Sequence, residues 1–201
     1  MSQIVRLTKP IVRQAERHLR QSCPVMASLI EKLGPCRLVD RRFPPFRILA
    51  RSIVCQLISA KAAEAVEGRI IALVPNYTPA EFLAVSLEDL RATGLSWAKA
   101  GYIIELAKRV SDGRLDLKAI ATASEAEAVA TLKAVPGIGQ WTAEMFLVFG
   151  LRWPDVLSLG DVGLKRAARL LFGEKADLEA VARPWRPYRS VASWYLWRSL
   201  G

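Results

Sequence analysis

The segment Val135-Pro136-Gly137-Ile138-Gly139 separates two apolar helical stretches and carries the clearest chemical signal in the chain. Two glycines in three residues allow positive φ and remove side chains that would hold another backbone away. The amides of Gly137 and Gly139 are then expected to point outward at the start of the next helix. Orphan N–H groups and the helix dipole make such a start an anion site. On a basic protein the natural occupant is a DNA phosphate. Ile138 is expected to pin the loop by packing inward. The alternative is an ordinary helix–helix turn with glycine as its C-cap, which the apolar surroundings and the following Trp141-Thr142-Ala143 disfavour. Other chemistries find little support. Cys23, Cys36 and Cys55 form no CxxC pair, which argues against a disulfide framework, a zinc site or an iron–sulfur cluster. The lone His18 sits among arginines and cannot build a zinc site.

The charge balance points the same way. The 201 residues hold 29 Lys+Arg against 19 Asp+Glu, a formal net charge of +10. Residues 1–50 carry a net +7, residues 51–130 a net −1 and residues 131–201 a net +4, so a single basic surface arises if the two ends meet. Clustered cations attract a polyanion by releasing its condensed counterions; a merely solvated basic surface is the other reading. Apolar residues at 52% and charged ones at 24% exclude disorder as the main state. No apolar run reaches the ~18 residues of a membrane span, and the charged start is unsuited to a signal-peptide core. The expectation is a soluble, cytoplasmic, nucleoid-associated protein with no membrane partner.

Helices must position these groups. Apolar positions recur at helical spacing nearly everywhere, with no sustained two-residue alternation. Pro10 opens a helix through Leu19, and Pro24 opens another that Gly34 and Pro35 stop. Arg41 to Phe46 reads as a linker because paired prolines cannot enter a helix interior. Two helices follow between Phe46 and Val74, broken near Ser59, then short ones at Ala80–Val85 and from Leu87. Further helices are expected from about Ala98 to Val110, from Ser124 to Ala134, and over Gln140–Phe149, Val162–Phe172 and Pro187–Leu200.

The stretch VPGIGQWTA resembles the helix–hairpin–helix element of the HhH-GPD superfamily of DNA base-excision glycosylases, and most of all the bacterial 3-methyladenine DNA glycosylase II type. The likeness runs from about Phe46 to Trp197. It implies a catalytic aspartate about twenty residues beyond the hairpin at a helix start, and Asp161 stands 22 positions after Gly139. Cleaving an N-glycosidic bond builds positive charge on the sugar, which a fixed carboxylate stabilises while orienting or deprotonating water. Asp161 is also a favoured N-cap, and the two roles are compatible. Strand-cutting members carry a lysine where Trp141 stands here, so no Schiff base forms at that place. The four cysteines of cluster-bearing members are missing as well, and no cofactor is implied.

An extruded base is sandwiched between aromatic faces, and a cationic alkylated purine gains about 0.5–2 kcal/mol from electron-rich rings. The resemblance matches Trp141 and Trp197 to pocket tryptophans, with core packing as the alternative. Met145 stands where a well-known relative has a pocket tyrosine. Gln56, in Gln56-Leu57-Ile58-Ser59, resembles a helix end near the cleft, though it also reads as a satisfied core amide. Trp97, in the loop Gly94 to Ala100, is expected to wedge into the duplex or to anchor the next helix; Lys99 is expected to touch a phosphate. Val135, Gly137, Ile138, Gly139 and Thr142 complete the expected DNA contacts. Relatives in complex with DNA hold a monovalent cation on hairpin carbonyls, here those of Val135 and Ile138.

The fold expected is all-α, with two helical subdomains flanking a DNA-binding cleft. Residues 46–130 form the middle bundle, and residues 1–45 plus 131–201 form the hairpin subdomain carrying the aspartate. The expected activity is hydrolytic excision of alkylated purines from double-stranded DNA by a monomer, without lyase activity. A glycosylase for deaminated or oxidised bases and a non-enzymatic binder of damaged DNA are the rival readings.

Overall fold

In a computed structural model that describes residues 6–40 and 43–201, every regular element is helical. Arg41 and Arg42 of the expected linker lie outside the described residues. The order begins α1 Lys9–Ser22, α2 Pro24–Leu33, α3 Pro45–Cys55, α4 Ala60–Leu73, α5 Pro79–Ala84 and α6 Leu87–Ala92. It continues with α7 Trp97–Ser111, α8 Leu117–Ile120, α9 Glu125–Lys133 and α10 Gln140–Met145. A π-helical turn over Phe146–Gly150 leads to α11 Val162–Phe172, α12 Leu178–Ala182, a 3₁₀ turn at Arg183–Trp185 and α13 Arg189–Arg198.

Local chemistry sets the helix starts. Proline occupies the first turn of α1, α2, α3 and α5, where its missing N–H costs nothing. Ser59, Ser86, Ser96 and Ser124 each accept an amide of the turn that follows, as N-caps do. Full capping boxes form at Thr78 with Glu81 and at Ser124 with Glu127.

The chain divides into two units, one of residues 6–40 with Leu147–Gly201 and one of Phe43–Phe146. In the first, α13 packs on α11, α2 and α1 around Trp185, Tyr195, Leu19, Met26 and Ile30. In the second, α7 packs on α3 and α5 around Phe82, which meets Phe46 and Tyr77 edge-on at 5.7 and 5.0 Å. This division differs from the expected one, because the hairpin goes with the middle helices rather than with the termini. Its ties explain the difference. α10 packs on α9 and α3, and the Gln56 side chain, just past α3, donates to the hairpin backbone.

Candidate active site

The hairpin follows α9 and is closed by the Ile138 amide donating to the Val135 carbonyl at 3.1 Å. Val135 and Ile138 are buried, so they offer only backbone to a ligand. Gly137 has φ +84°, and a Cβ there would lie 2.5 Å from the Tyr102 ring, so both conformation and packing demand glycine. Gly139 differs from expectation. Its φ of −90° and ψ of 179° suit any residue, and a Cβ there meets nothing within 4 Å. What its missing side chain leaves is open space above the first amides of α10. Lys133, exposed, places its Nζ 3.2 Å from Gln140 Oε1 and adds positive charge beside that opening. Neither Tyr102 nor Lys133 stood out in the sequence. A helical tyrosine and a surface lysine have no pattern to betray such a role.

Three expected contacts have other work here. The Gln56 side-chain amide donates to the Gly137 carbonyl at 2.8 Å and to Thr142 Oγ1 at 3.3 Å, so Gln56 braces the hairpin instead of facing a base. Thr142 is buried in that bond and leaves only its backbone for DNA. Lys99 Nζ donates to the carbonyls of Val54 at 2.9 Å and Gln56 at 2.5 Å, closing the end of α3 where a phosphate contact was expected. Burial there pushes its ammonium below the ordinary lysine range. Met145 is buried too, with 6% of its surface exposed, which leaves little for a base to touch.

Trp97 and Leu57 of this unit stand in water instead. Trp97, at the first position of α7, is 54% exposed, as a wedge requires, and the Arg91 guanidinium lies 5.9 Å from its ring. Leu57 is fully exposed at φ +57°, a conformation that costs a leucine about 1–2 kcal/mol. It lines the same depression as Tyr102 and the hairpin. Sequence reading missed it because a leucine inside an apolar run looks like core. Trp141 is 42% exposed at the start of α10.

The acidic group belongs to the other unit. Asp161 N-caps α11, with Oδ1 accepting the Leu164 amide at 2.7 Å and the Trp197 indole N–H at 3.1 Å. Only 7% of the residue is exposed, so the carboxylate is held in one orientation. Gly163 makes room for this pair, since a Cβ there would lie 3.1 Å from Asp161 Oδ1 and 3.4 Å from Trp197 Cδ1. Trp197 also lies 5.7 Å from the Phe149 ring at 32°. Phe149, Leu159 and Val162 are exposed, the first beside the Trp197 ring and the other two within two residues of Asp161 along the chain. Trp185 and Trp153 are core, while Trp194 is half-buried. Among the described residues no cluster of His, Cys, Asp and Glu could hold a metal ion. None of their helices is long and apolar enough to cross a membrane.

The crystal structure of a DNA-3-methyladenine glycosidase from Bacillus halodurans is 37% identical, covers 89% of this chain and 90% of its own, and superposes with a TM-score of 0.72. The Schizosaccharomyces pombe 3-methyladenine DNA glycosylase Mag1, solved in complex with abasic DNA, is 28% identical over 92% of this chain and 96% of its own, with a TM-score of 0.80. The alkylbase DNA glycosidase-like protein mag2 of the same yeast is 28% identical over 92% of both chains. Residues 50–187 match the family described as HhH-GPD superfamily base excision DNA repair protein. A match across so much of the chain makes this protein a member of the HhH-GPD superfamily.

Proposed function

We propose that this protein is a DNA glycosylase that hydrolyses the N-glycosidic bond of alkylated purines in duplex DNA, acting as a monomer. The substrates are 3-methyladenine-like bases, with 7-methylguanine in the same cationic class and neutral ethenoadenine, which leaves once solvent protonates a ring nitrogen, as a further one. One observation carries the reading: a nearly buried carboxylate, fixed at a helix start by an amide and an indole N–H. The relatives named for 3-methyladenine chemistry support the choice of base.

The chemistry follows from charge. A purine alkylated at N3 or N7 is cationic, so it leaves C1′ as a neutral base, taking the electron pair of the C–N bond and needing no general acid. Positive charge then grows on the sugar, and the Asp161 carboxylate stabilises it. Water adds to C1′, its proton passes to the carboxylate or to solvent, and an abasic site and the free base result. Trp197 positions Asp161, while the exposed Trp141 offers a face for a cationic base. With an indole at 141 in place of an amine, strand cleavage through a Schiff base has no nucleophile there. The hairpin amides hold backbone phosphate. The Val135 carbonyl keeps one lone pair beyond its turn bond, so with the Ile138 carbonyl it suits a monovalent cation that would add charge toward that phosphate. Extrusion leaves a gap in the stack, and both Leu57 and Trp97 are exposed enough to fill it.

The test is direct. Purified protein incubated with methylated duplex is expected to release 3-methyladenine, identified chromatographically, with strands intact until alkali is added. Release of uracil or oxidised purines in preference to methylated ones would favour the rival specificity. Nicking without alkali would contradict the monofunctional assignment.

A further inference from the structure

The unit that holds Asp161 carries a second built surface. On α13, Trp197 faces Asp161, whereas Trp194 and Arg198 line a groove together with Leu33, Pro35 and Arg37 from the end of α2. Pro35 and Arg37 also line an adjoining recess with Lys9, Arg13, Glu16 and Asp40, so the two form one continuous track.

This track is rigid. The Tyr195 hydroxyl lies between Glu16 Oε1 at 2.8 Å and the Gly34 carbonyl at 2.9 Å, and the Cys36 amide donates to the same Oε1 at 2.7 Å. These bonds tie the segment after α2 to α1 and α13. Tyr195 also meets Trp194 edge-on, with centroids 5.0 Å apart at 89°, which fixes the indole. Four cations line the track against two carboxylates. Glu16 is engaged by the Tyr195 hydroxyl and the Cys36 amide, and Asp40 faces Lys9 at 3.9 Å. Among the described residues, Arg13, Arg37 and Arg198 have no ion-pair partner.

A partly exposed indole flanked by unpaired guanidinium groups has the chemistry of a stacking platform on an electrostatic track. Duplex DNA hides its base faces, whereas a single strand offers them along with regularly spaced phosphates. We infer that this groove is a second nucleic-acid site that takes single-stranded DNA, with an unpaired base on Trp194 and flanking phosphates on Arg37 and Arg198. Lys9 and Arg13 continue the phosphate track. The site is separate from the reaction at Asp161, so either can fail without the other.

The experiment uses the full chain saturated with an abasic-site duplex and follows the anisotropy of a labelled oligothymidylate. The oligonucleotide is expected to bind alongside the duplex. Arg37→Ser/Arg198→Ser should weaken it about tenfold and lower the log–log salt slope by about 1.4, two phosphates at roughly 0.7 each. Trp194→Ala should weaken it at least about fivefold through lost stacking, and Arg37→Lys/Arg198→Lys should restore most of the binding lost by the double serine variant. Base release from the duplex should be unchanged in the double serine variant, whose two sites are exposed. The inference is overturned if the duplex displaces the oligonucleotide, or if the double serine variant binds it as the native protein does. It is also overturned if polyglutamate displaces it equally well with or without Trp194, which would make the groove a docking site for acidic peptides.

Discussion

Asp161 and Trp197 hold each other in place, and the bond between them separates orientation from charge. Trp197→Phe keeps a smaller aromatic ring against Phe149 and removes the N–H that reaches Asp161 Oδ1. Single-turnover base release is expected to fall about tenfold, the scale of one lost charge-assisted hydrogen bond, while duplex affinity changes less than twofold. An equal loss in both would mean that the ring, and not the N–H, matters. The two hairpin glycines make a second contrast. Gly137→Ala meets the Tyr102 ring and a positive φ together, so a loss of about 2–4 kcal/mol is expected in urea unfolding. Gly139→Ala meets neither obstacle, so stability should hold while duplex affinity falls because a methyl group enters the open space over the amides. If Gly139→Ala binds duplex normally, those amides do not hold phosphate.

At the scale of elements, the sequence was most readable where a helix start has its own chemistry. Ser59, Ser86, Ser124 and the prolines marked boundaries that the structure keeps within a residue or two. Two short helices, α8 and α12, escaped notice because four or five residues offer no period to read. The expected helix through Phe149 instead leaves α-geometry at Phe146 for a π turn, which apolar spacing cannot distinguish. Site residues followed the same logic. Asp161 was legible as the N-cap of α11, at the residue where the resemblance puts the family's aspartate. Lys99 and Thr142 take partners other than DNA and Gln56 takes the satisfied-amide alternative, because backbone carbonyls and neighbouring side chains leave no trace in spacing. Leu57 was hidden by its apolar neighbours, yet it is the more exposed of the two wedge candidates. Replacing each by alanine should separate them. The true wedge loses at least about fivefold in trapping an extruded base, read by 2-aminopurine fluorescence, since unstacking costs a few kcal/mol. If neither variant changes the signal, the gap is filled by some other group.

The whole molecule responds to salt and pH through groups the structure identifies. Duplex binding should weaken linearly in log–log form as salt rises, by about 0.9 per phosphate engaged. Burial pushes the Cys36 thiol up to about 12. Its folded pKa then exceeds the unfolded one, so the folded state keeps a proton that the unfolded chain loses between about pH 9 and 12. Stability therefore falls across that window, by at most about 1.4 kcal/mol per pH unit from this group. Cys36→Ala should flatten that part of the unfolding profile; an unchanged slope would assign the loss to other groups.

The central claim is that the Asp161 carboxylate drives base release, and Asp161→Asn tests it most directly. Asparagine keeps an oxygen for the Leu164 amide and the Trp197 N–H, so the fold and duplex affinity should persist. Single-turnover release of 3-methyladenine from methylated duplex should fall by about 10²–10³-fold, as when one preorganised electrostatic group is removed. Release within about threefold of the native rate, with binding intact, would contradict the account.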